Sequence, residues 1–306
     1  MDEIRYCRVS LTTDCNRKCL YCFNEGQSRY PIKTLSDKDG FAWLVKQLVS
    51  NYGTQLVRFT GGEPLQHPEP MKMIQIAKSS GVKKVGLTTN GIYFNDYVSQ
   101  FQDHGLDSCA VHLWQLDEKQ KVNVSNLKDQ MSYFKSQFAR TRFNVVLLRS
   151  NFLYVKELIE HIAGIDIKLQ ILDLLQTNTA DNYFEDEYVE LDSLCRTLIN
   201  CNFIETKKNK NVRFFYRDKT IIKLVDHYKN HWRRKSYCTR QLAYNPILIT
   251  PDFQLSYCTH FNSPSPSIAE AVANRNPVIL QDVINKMKSE AFNCCACKER
   301  IVLSDV

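Results

Sequence analysis

The sequence predicts an α/β fold: a partial (β/α)6 barrel of the TIM type, followed by a small C-terminal domain. Three observations predict it. Short β-rich runs alternate with longer amphipathic segments through the first 175 residues, which implies parallel strands joined by right-handed crossovers. The repeat of roughly 25 to 45 residues suits βα units. Each unusual motif falls directly after a predicted strand, the end at which such barrels carry their chemistry. The rhythm divides the chain into a core barrel over 1–176, a bridging region over 177–235 and a tail domain over 236–306.

The first strand is YCRVSLT (6–12), and it runs into TTDCNRKCLYCFNE (12–25). That stretch spaces Cys15, Cys19 and Cys22 as C-x3-C-x2-C. A helix over 36–51 leads to the strand QLVRFT (55–60), followed at once by Gly61-Gly62-Glu63-Pro64-Leu65. Paired glycines permit positive φ and let a ligand approach the backbone. A helix over 68–80 precedes KKVGLTT (83–89), which ends in Thr88-Thr89-Asn90-Gly91. Helices over 94–104, 118–139 and 152–163 then alternate with the strands SCAVHLW (108–114), FNVVLLR (143–149) and IKLQILDLL (167–175). From about residue 176 the rhythm changes. NTADNYFEDEYVELDSLCRTLINCNF reads as an acidic entry into a helix, and 202–235 is polar and basic. PILITPDFQLSYC reads as a hairpin around Pro251-Asp252, a helix is expected near 279–291, and the tail NCCACKER holds three cysteines in four residues.

At 306 residues, 43% hydrophobic and 24% charged, the chain can bury a large core. It has no apolar run long enough to span a membrane, and MDEIRYCRVS has no apolar signal core. A cytoplasmic location is therefore expected, where thiols stay reduced. Twelve cysteines then favour metal or redox chemistry over disulfides. The net charge is +7, and the basic stretches KKNKNVR (207–213) and HWRRK (231–235) read either as solvated loops or as contacts for an anionic substrate.

Three thiols on one tight loop suit neither a closed zinc site, which wants four ligands, nor a disulfide framework, which wants an even number. They suit three corners of an iron–sulfur cubane, leaving one iron open. Tyr21, just before Cys22, can lay its ring against an adenine. General-acid, serine-nucleophile and P-loop templates find no match.

Here the chain resembles the radical S-adenosylmethionine (radical SAM) enzymes, whose signature Cys15, Cys19, Tyr21 and Cys22 match. The resemblance implies a catalytic [4Fe–4S] cluster whose open iron binds S-adenosylmethionine. One electron then cleaves the cofactor to methionine and a 5′-deoxyadenosyl radical, which takes a hydrogen atom from the substrate. It also implies an electron donor such as a flavodoxin or ferredoxin. By the same resemblance Gly61, Gly62, Glu63 and Pro64 form the loop that binds the methionyl ammonium, with Glu63 as acceptor, and Asn90 lies beside them. LDSCAVHLW (106–114) matches a segment that reads roughly LDRVNVSLD in the GTP 3′,8-cyclase branch, where the serine contacts the cofactor. Here that position is His112, which takes over the contact, faces the substrate or is structural, and an acidic position has become Trp114. NVVLLRSN (144–151) resembles NVVVMRGVN of the same branch; Arg149 either pairs with the cofactor carboxylate or is a surface arginine.

The tail resembles the twitch domain, a shortened SPASM-type auxiliary-cluster domain, as in 2-deoxy-scyllo-inosamine dehydrogenase. That resemblance implies a second, auxiliary [4Fe–4S] cluster on Cys238, Cys258, Cys294 and Cys297, with Cys295 able to replace Cys294. Structural zinc is the competing use of four cysteines. Seven thiolates around two cubanes of charge 2+ lower the net charge to roughly +4, which weakens any case for nucleic acid. The C-x19-C and C-x2-C spacing also differs from the three-cysteine C-x2-C-x13-C of the GTP cyclases, so the expected substrate is a small polar metabolite such as a sugar, cyclitol or nucleotide. Two rivals are a radical SAM maturase acting on a ribosomal peptide and a zinc-stabilised nucleic-acid-binding protein; the second leaves GGEP and TTNG at strand ends unexplained.

Overall fold

The computed structural model describes residues 4–22, 24–117, 122–175, 183–208, 212–226, 247–256 and 266–293. All structural statements below concern those residues.

Six parallel strands follow one another in sequence order: β1 (Tyr6–Ser10), β2 (Leu56–Thr60), β3 (Lys84–Thr89), β4 (Ser108–His112), β5 (Thr141–Val146) and β6 (Lys168–Leu172). Five helices connect them: α1 (Lys38–Tyr52), α2 (Pro70–Ser79), α3 (Phe94–Phe101), α4 (Val124–Gln137) and α5 (Phe152–Ile162). The local chemistry sets their ends. The Asp37 side chain accepts the Gly40 N–H to cap α1, and Gly53 closes it in the left-handed region at φ 68°. Asn123 caps α4 in the same way.

Strand side chains alternate between two faces. Val9, Phe59, Leu87, Val111, Val145 and Ile171 are buried, as are Phe41 and Leu44 of α1, Ile74 of α2, Met131 of α4 and Ile159 of α5. These residues belong to one continuous apolar cluster. Burying each such side chain contributes about 1.5–3 kcal/mol.

Beyond β6 the chain departs from the expected pattern. After α6 (Tyr183–Glu187) and α7 (Cys195–Asn200), the stretch read as polar and basic holds three strands, β7 (Ile204–Lys208), β8 (Val212–Arg217) and β9 (Thr220–Val225). β9 pairs parallel with β6, and β8 and β7 follow antiparallel. Arg213, in the basic stretch, is bound to Asp192 and Glu205 rather than free. The expected hairpin is present as β10 (Ile247–Ile249) and β11 (Leu255–Ser256), and β10 pairs parallel with β1. α8 (Ala269–Ala273) and α9 (Pro277–Asn293) follow, the latter where a C-terminal helix is expected. The result is one eleven-stranded sheet, β11-β10-β1-β2-β3-β4-β5-β6-β9-β8-β7. It is a barrel widened at both edges by later chain. Among the described residues no helix is long and apolar enough to cross a membrane.

Candidate active site

The cysteine loop leaves β1 across the top of the barrel. Leu11 N donates to Thr60 O at 2.9 Å, and Thr13 N to Lys33 O at 2.9 Å. Asp14 turns the chain: its N–H reaches Thr12 Oγ1 at 3.1 Å while its carboxylate accepts Cys15 N at 2.9 Å. Cys22 N donates to Cys19 O at 3.1 Å. Cys15 and Cys19 are half-buried, Cys22 is exposed, and none of the three is in a disulfide. Burial pushes the Cys15 thiol up, and the charges of Glu63 and Cys22 add to this, while the Arg17 N–H, 3.4 Å from its sulfur, works the other way.

Such a thiol ionises on binding a cationic metal centre. Three thiols on one loop, outside any disulfide and one of them already receiving an N–H, fit a cluster whose sulfurs are hydrogen-bonded. Among the described residues no three His, Cys, Asp or Glu side chains converge on a single ion.

Two further strand ends brace this loop. Gly62 N donates to Thr12 O at 2.7 Å, and Glu63 N to Asp14 O at 2.7 Å. A Cβ on Gly62 would lie 1.8 Å from Asp14 O, and Gly61 sits at φ +127°; no other residue fits this approach. The Glu63 carboxylate is 1% exposed and accepts three hydrogen bonds, from Leu65 N at 3.0 Å, Thr89 Oγ1 at 2.7 Å and Asn90 N at 2.7 Å. It therefore ties the GGEP loop, with Pro64 opening a short 3-10 turn, to the TTNG loop. Burial pushes this carboxyl up to about 7, against the pull of its hydrogen bonds. Asn90 Nδ2 in turn donates to Asn16 Oδ1 at 2.7 Å and lies 4.0 Å from Cys15 Sγ. Three loops from three strand ends thus form one connected frame.

The end of β4 grips the same loop from the other side. His112 Nε2 is hydrogen-bonded to the Tyr21 hydroxyl, with the rings edge to face. Two residues on, the Trp114 ring lies 4.0 Å from the Arg17 guanidinium. The Tyr21 ring also packs against buried Leu148, Leu174 and Phe184. Arg149 is not drawn to the cysteine loop: it is exposed, and its guanidinium reaches Tyr188 O at 3.5 Å. A cavity of about 240 Å³ lies beside Asn90, His112, Trp114 and Phe134.

Inside the barrel lies a feature no motif announced. Arg8 is level with Arg58, Arg58 with Gly86, and Gly86 with Ser108. On the other wall Ala110 is level with Arg142, Asn144 with Gln170, and Gln170 with Lys223. Arg58 donates to Leu87 O at 3.1 Å and Ser108 Oγ at 3.3 Å, in the space that side-chain-free Gly86 leaves. Arg142 is pulled down to about 10 by burial and by Arg58 beside it. Lys223 is lowered by burial and by Arg142. Burial opposes the Arg8 charge too, but Glu25 outweighs it. Four cations therefore share one interior, and Arg8 among them is paired with the Glu25 carboxylate.

The radical SAM superfamily model matches residues 9–168, more than half of the chain. The chain belongs to the radical SAM superfamily. It is therefore an enzyme of a family that uses a [4Fe–4S] cluster, S-adenosylmethionine and a reductant. It is 29% identical over 206 residues to a GTP 3′,8-cyclase of Psychromonas ingrahamii, covering 64% of this chain and 60% of that one. It is 37% identical over 123 residues to a probable GTP 3′,8-cyclase of Methanococcus maripaludis, covering 40% and 41%. The chain thus spans about 60% or less of the length of these curated relatives. In fold it is similar to Streptococcus suis SuiB bound to S-adenosylmethionine, with a TM-score of 0.65, 13% identity and coverage of 97% of this chain and 72% of that one.

Of the residues expected to serve this radical SAM chemistry, Cys15, Cys19, Tyr21, Cys22, Gly61, Gly62, Glu63, Pro64, Asn90 and His112 come together at the barrel mouth. Cys238, Cys258, Cys294, Cys295 and Cys297 lie outside the described residues.

Proposed function

We propose that this radical SAM enzyme acts on a small anionic metabolite, a nucleotide or phosphorylated sugar, held within the barrel beneath the cysteine loop. When bound, the cluster and S-adenosylmethionine supply a 5′-deoxyadenosyl radical that removes a hydrogen atom from that substrate. The observation that carries the reading is the interior belt of Arg8, Arg58, Arg142 and Lys223. Confining four cations is costly without an anion to meet them. The guanidinium Nε atoms of Arg8 and Arg142 are buried without a hydrogen-bond partner, which suits donors kept for a ligand. The relatives named as GTP 3′,8-cyclases act on an anion of this class, which adds support for a nucleotide.

Cys15, Cys19 and Cys22 are the cluster ligands in this reading. Gly61, Gly62, Pro64 and Asn90 line the place of S-adenosylmethionine. The Glu63 carboxylate mainly positions those loops, since it already accepts three protein hydrogen bonds. The tail cysteines Cys238, Cys258, Cys294 and Cys297 hold an auxiliary [4Fe–4S] cluster. What supports this is their spacing, C-x19-C followed by C-x2-C, which resembles a four-cysteine auxiliary-cluster set.

Iron and acid-labile sulfide on protein reconstituted without oxygen test the cluster assignment. About eight irons per chain, falling to about four in a Cys15/Cys19/Cys22→Ala variant, are expected for two cubanes; about four falling to none removes the auxiliary cluster. Calorimetric titration with GTP and with pyrophosphate tests the substrate class. Turnover of an uncharged cyclitol by a protein that binds neither anion overturns it.

A further inference from the structure

We infer that Glu25 is a substrate-contacting residue that accepts a hydrogen bond from a hydroxyl or amino group of the anionic substrate. It thereby fixes which end of that substrate faces the cysteine loop. The inference rests on the proposed anion site and adds a second pole to it.

Glu25 lies three residues after Cys22, yet its side chain turns down into the barrel and is only 10% exposed. One carboxylate oxygen, Oε1, pairs with Arg8 Nη2 and accepts from Thr60 Oγ1 at 3.2 Å. The other, Oε2, is buried with no hydrogen-bond partner. A carboxylate oxygen buried without a donor is costly, so it marks a place where a donor is supplied by something else. The backbone agrees. Asn24 and Glu25 both occupy the left-handed region, at φ 48° and 54°. Two successive non-glycine residues there are strained, and such strain persists where a side chain has to be held in one direction.

On the far wall, Asn144 Oδ1 is a second buried acceptor without a partner. Asn144 is level with His112 of β4, two positions nearer the mouth than Arg142 on the same strand. The interior is therefore polar in one sense along its axis. Unpaired acceptors, Glu25 Oε2 and Asn144 Oδ1, lie towards the mouth. The arginine donors Arg58 and Arg142 lie below, while Lys223 is level with Asn144 through Gln170. An anion carrying hydroxyl or amino donors fits in one orientation, with its donor-bearing part under the cysteine loop and its charge on the arginines. A simple anion meets only the lower half.

The test is calorimetric binding of two probes, GTP and pyrophosphate, to the reconstituted full chain and to Glu25→Ala and Glu25→Gln. GTP is expected to bind wild type more tightly than pyrophosphate. Glu25→Ala should weaken GTP about 5- to 30-fold and leave pyrophosphate binding as tight as in wild type or tighter, because Arg8 loses its carboxylate partner. Glu25→Gln should not restore GTP binding, because the amide places an N–H where the substrate donor points; it also keeps the shape of the side chain if the alanine variant folds poorly. Equal loss of both probes, rescue by glutamine, or equal affinity of wild type for the two probes overturns the role of Glu25. Failure of pyrophosphate to bind wild type while GTP binds and responds to Glu25 points instead to an error in the anion site alone.

Discussion

The mouth of the barrel and its interior are ordered by different means. At the mouth, loops from β1, β2 and β3 hold one another through backbone groups, two glycines and the Glu63 carboxylate. In the interior, order comes from long cationic side chains on strands far apart in sequence. The mouth is a frame, sensitive to where the backbone runs. The interior is a polarity, sensitive to which charges are present. A frame suits a cofactor that every member of the family shares, whereas a polarity suits a substrate that differs among members.

Substitutions separate these two regions. The largest effect is expected at Cys19→Ala, which should reduce 5′-deoxyadenosine formation to background in an anaerobic assay; normal turnover would break the assignment of the mouth. Gly62→Ala comes next. Its new Cβ meets Asp14 O at 1.8 Å, so the loop has to shift, and a loss of about 100-fold in 5′-deoxyadenosine formation is expected with the far-UV spectrum unchanged. An unaffected rate would show that the frame yields at no cost.

Glu63 gives a pH signature of the frame in metal-free protein. Its folded pKa is raised from 4.5 to about 7, so its contribution to stability is present below the unfolded value and is lost as pH rises through the folded one. Between pH 5 and 7.5 wild type should lose about 2 to 3 kcal/mol by urea titration, and Glu63→Gln should lose none of that. Parallel pH profiles would rule this out. Arg142→Met should have the smallest effect on the frame and act on the polarity alone. Pyrophosphate binding should weaken about tenfold, with iron content unchanged. Because burial already disfavours the Arg142 charge, the melting temperature should stay level or rise.

Legibility in the sequence follows the same division. All six core strands and five helices stood out, because burial imposes a period that composition reveals. The GGEP and TTNG loops stood out because only glycine permits their backbone. The strands β7 to β9 were hidden: VRFFYR and TIIKLV carry the alternation of a hairpin, but flanking lysines and Arg213 read as a solvated basic run. The arginine belt was hidden for a different reason. Arg8, Arg58 and Arg142 each sit in an ordinary strand, and only register places them side by side. Arg149 reads from its motif either as a cofactor contact or as a surface arginine; it is exposed, with its guanidinium 3.5 Å from the carbonyl of Tyr188. His112 and Trp114 departed from the related motif, and the departure is matched by what they touch, Tyr21 and Arg17 of the cysteine loop.

The pairing of β10 with β1 bears on how the molecule is made. Cys7 waits for Ile247, so the strand that launches the cysteine loop keeps an open edge until most of the chain has left the ribosome. An open edge invites pairing with other strands, and contacts this distant form slowly. Chains cut short before residue 247 should accumulate as aggregates rather than as partial enzymes.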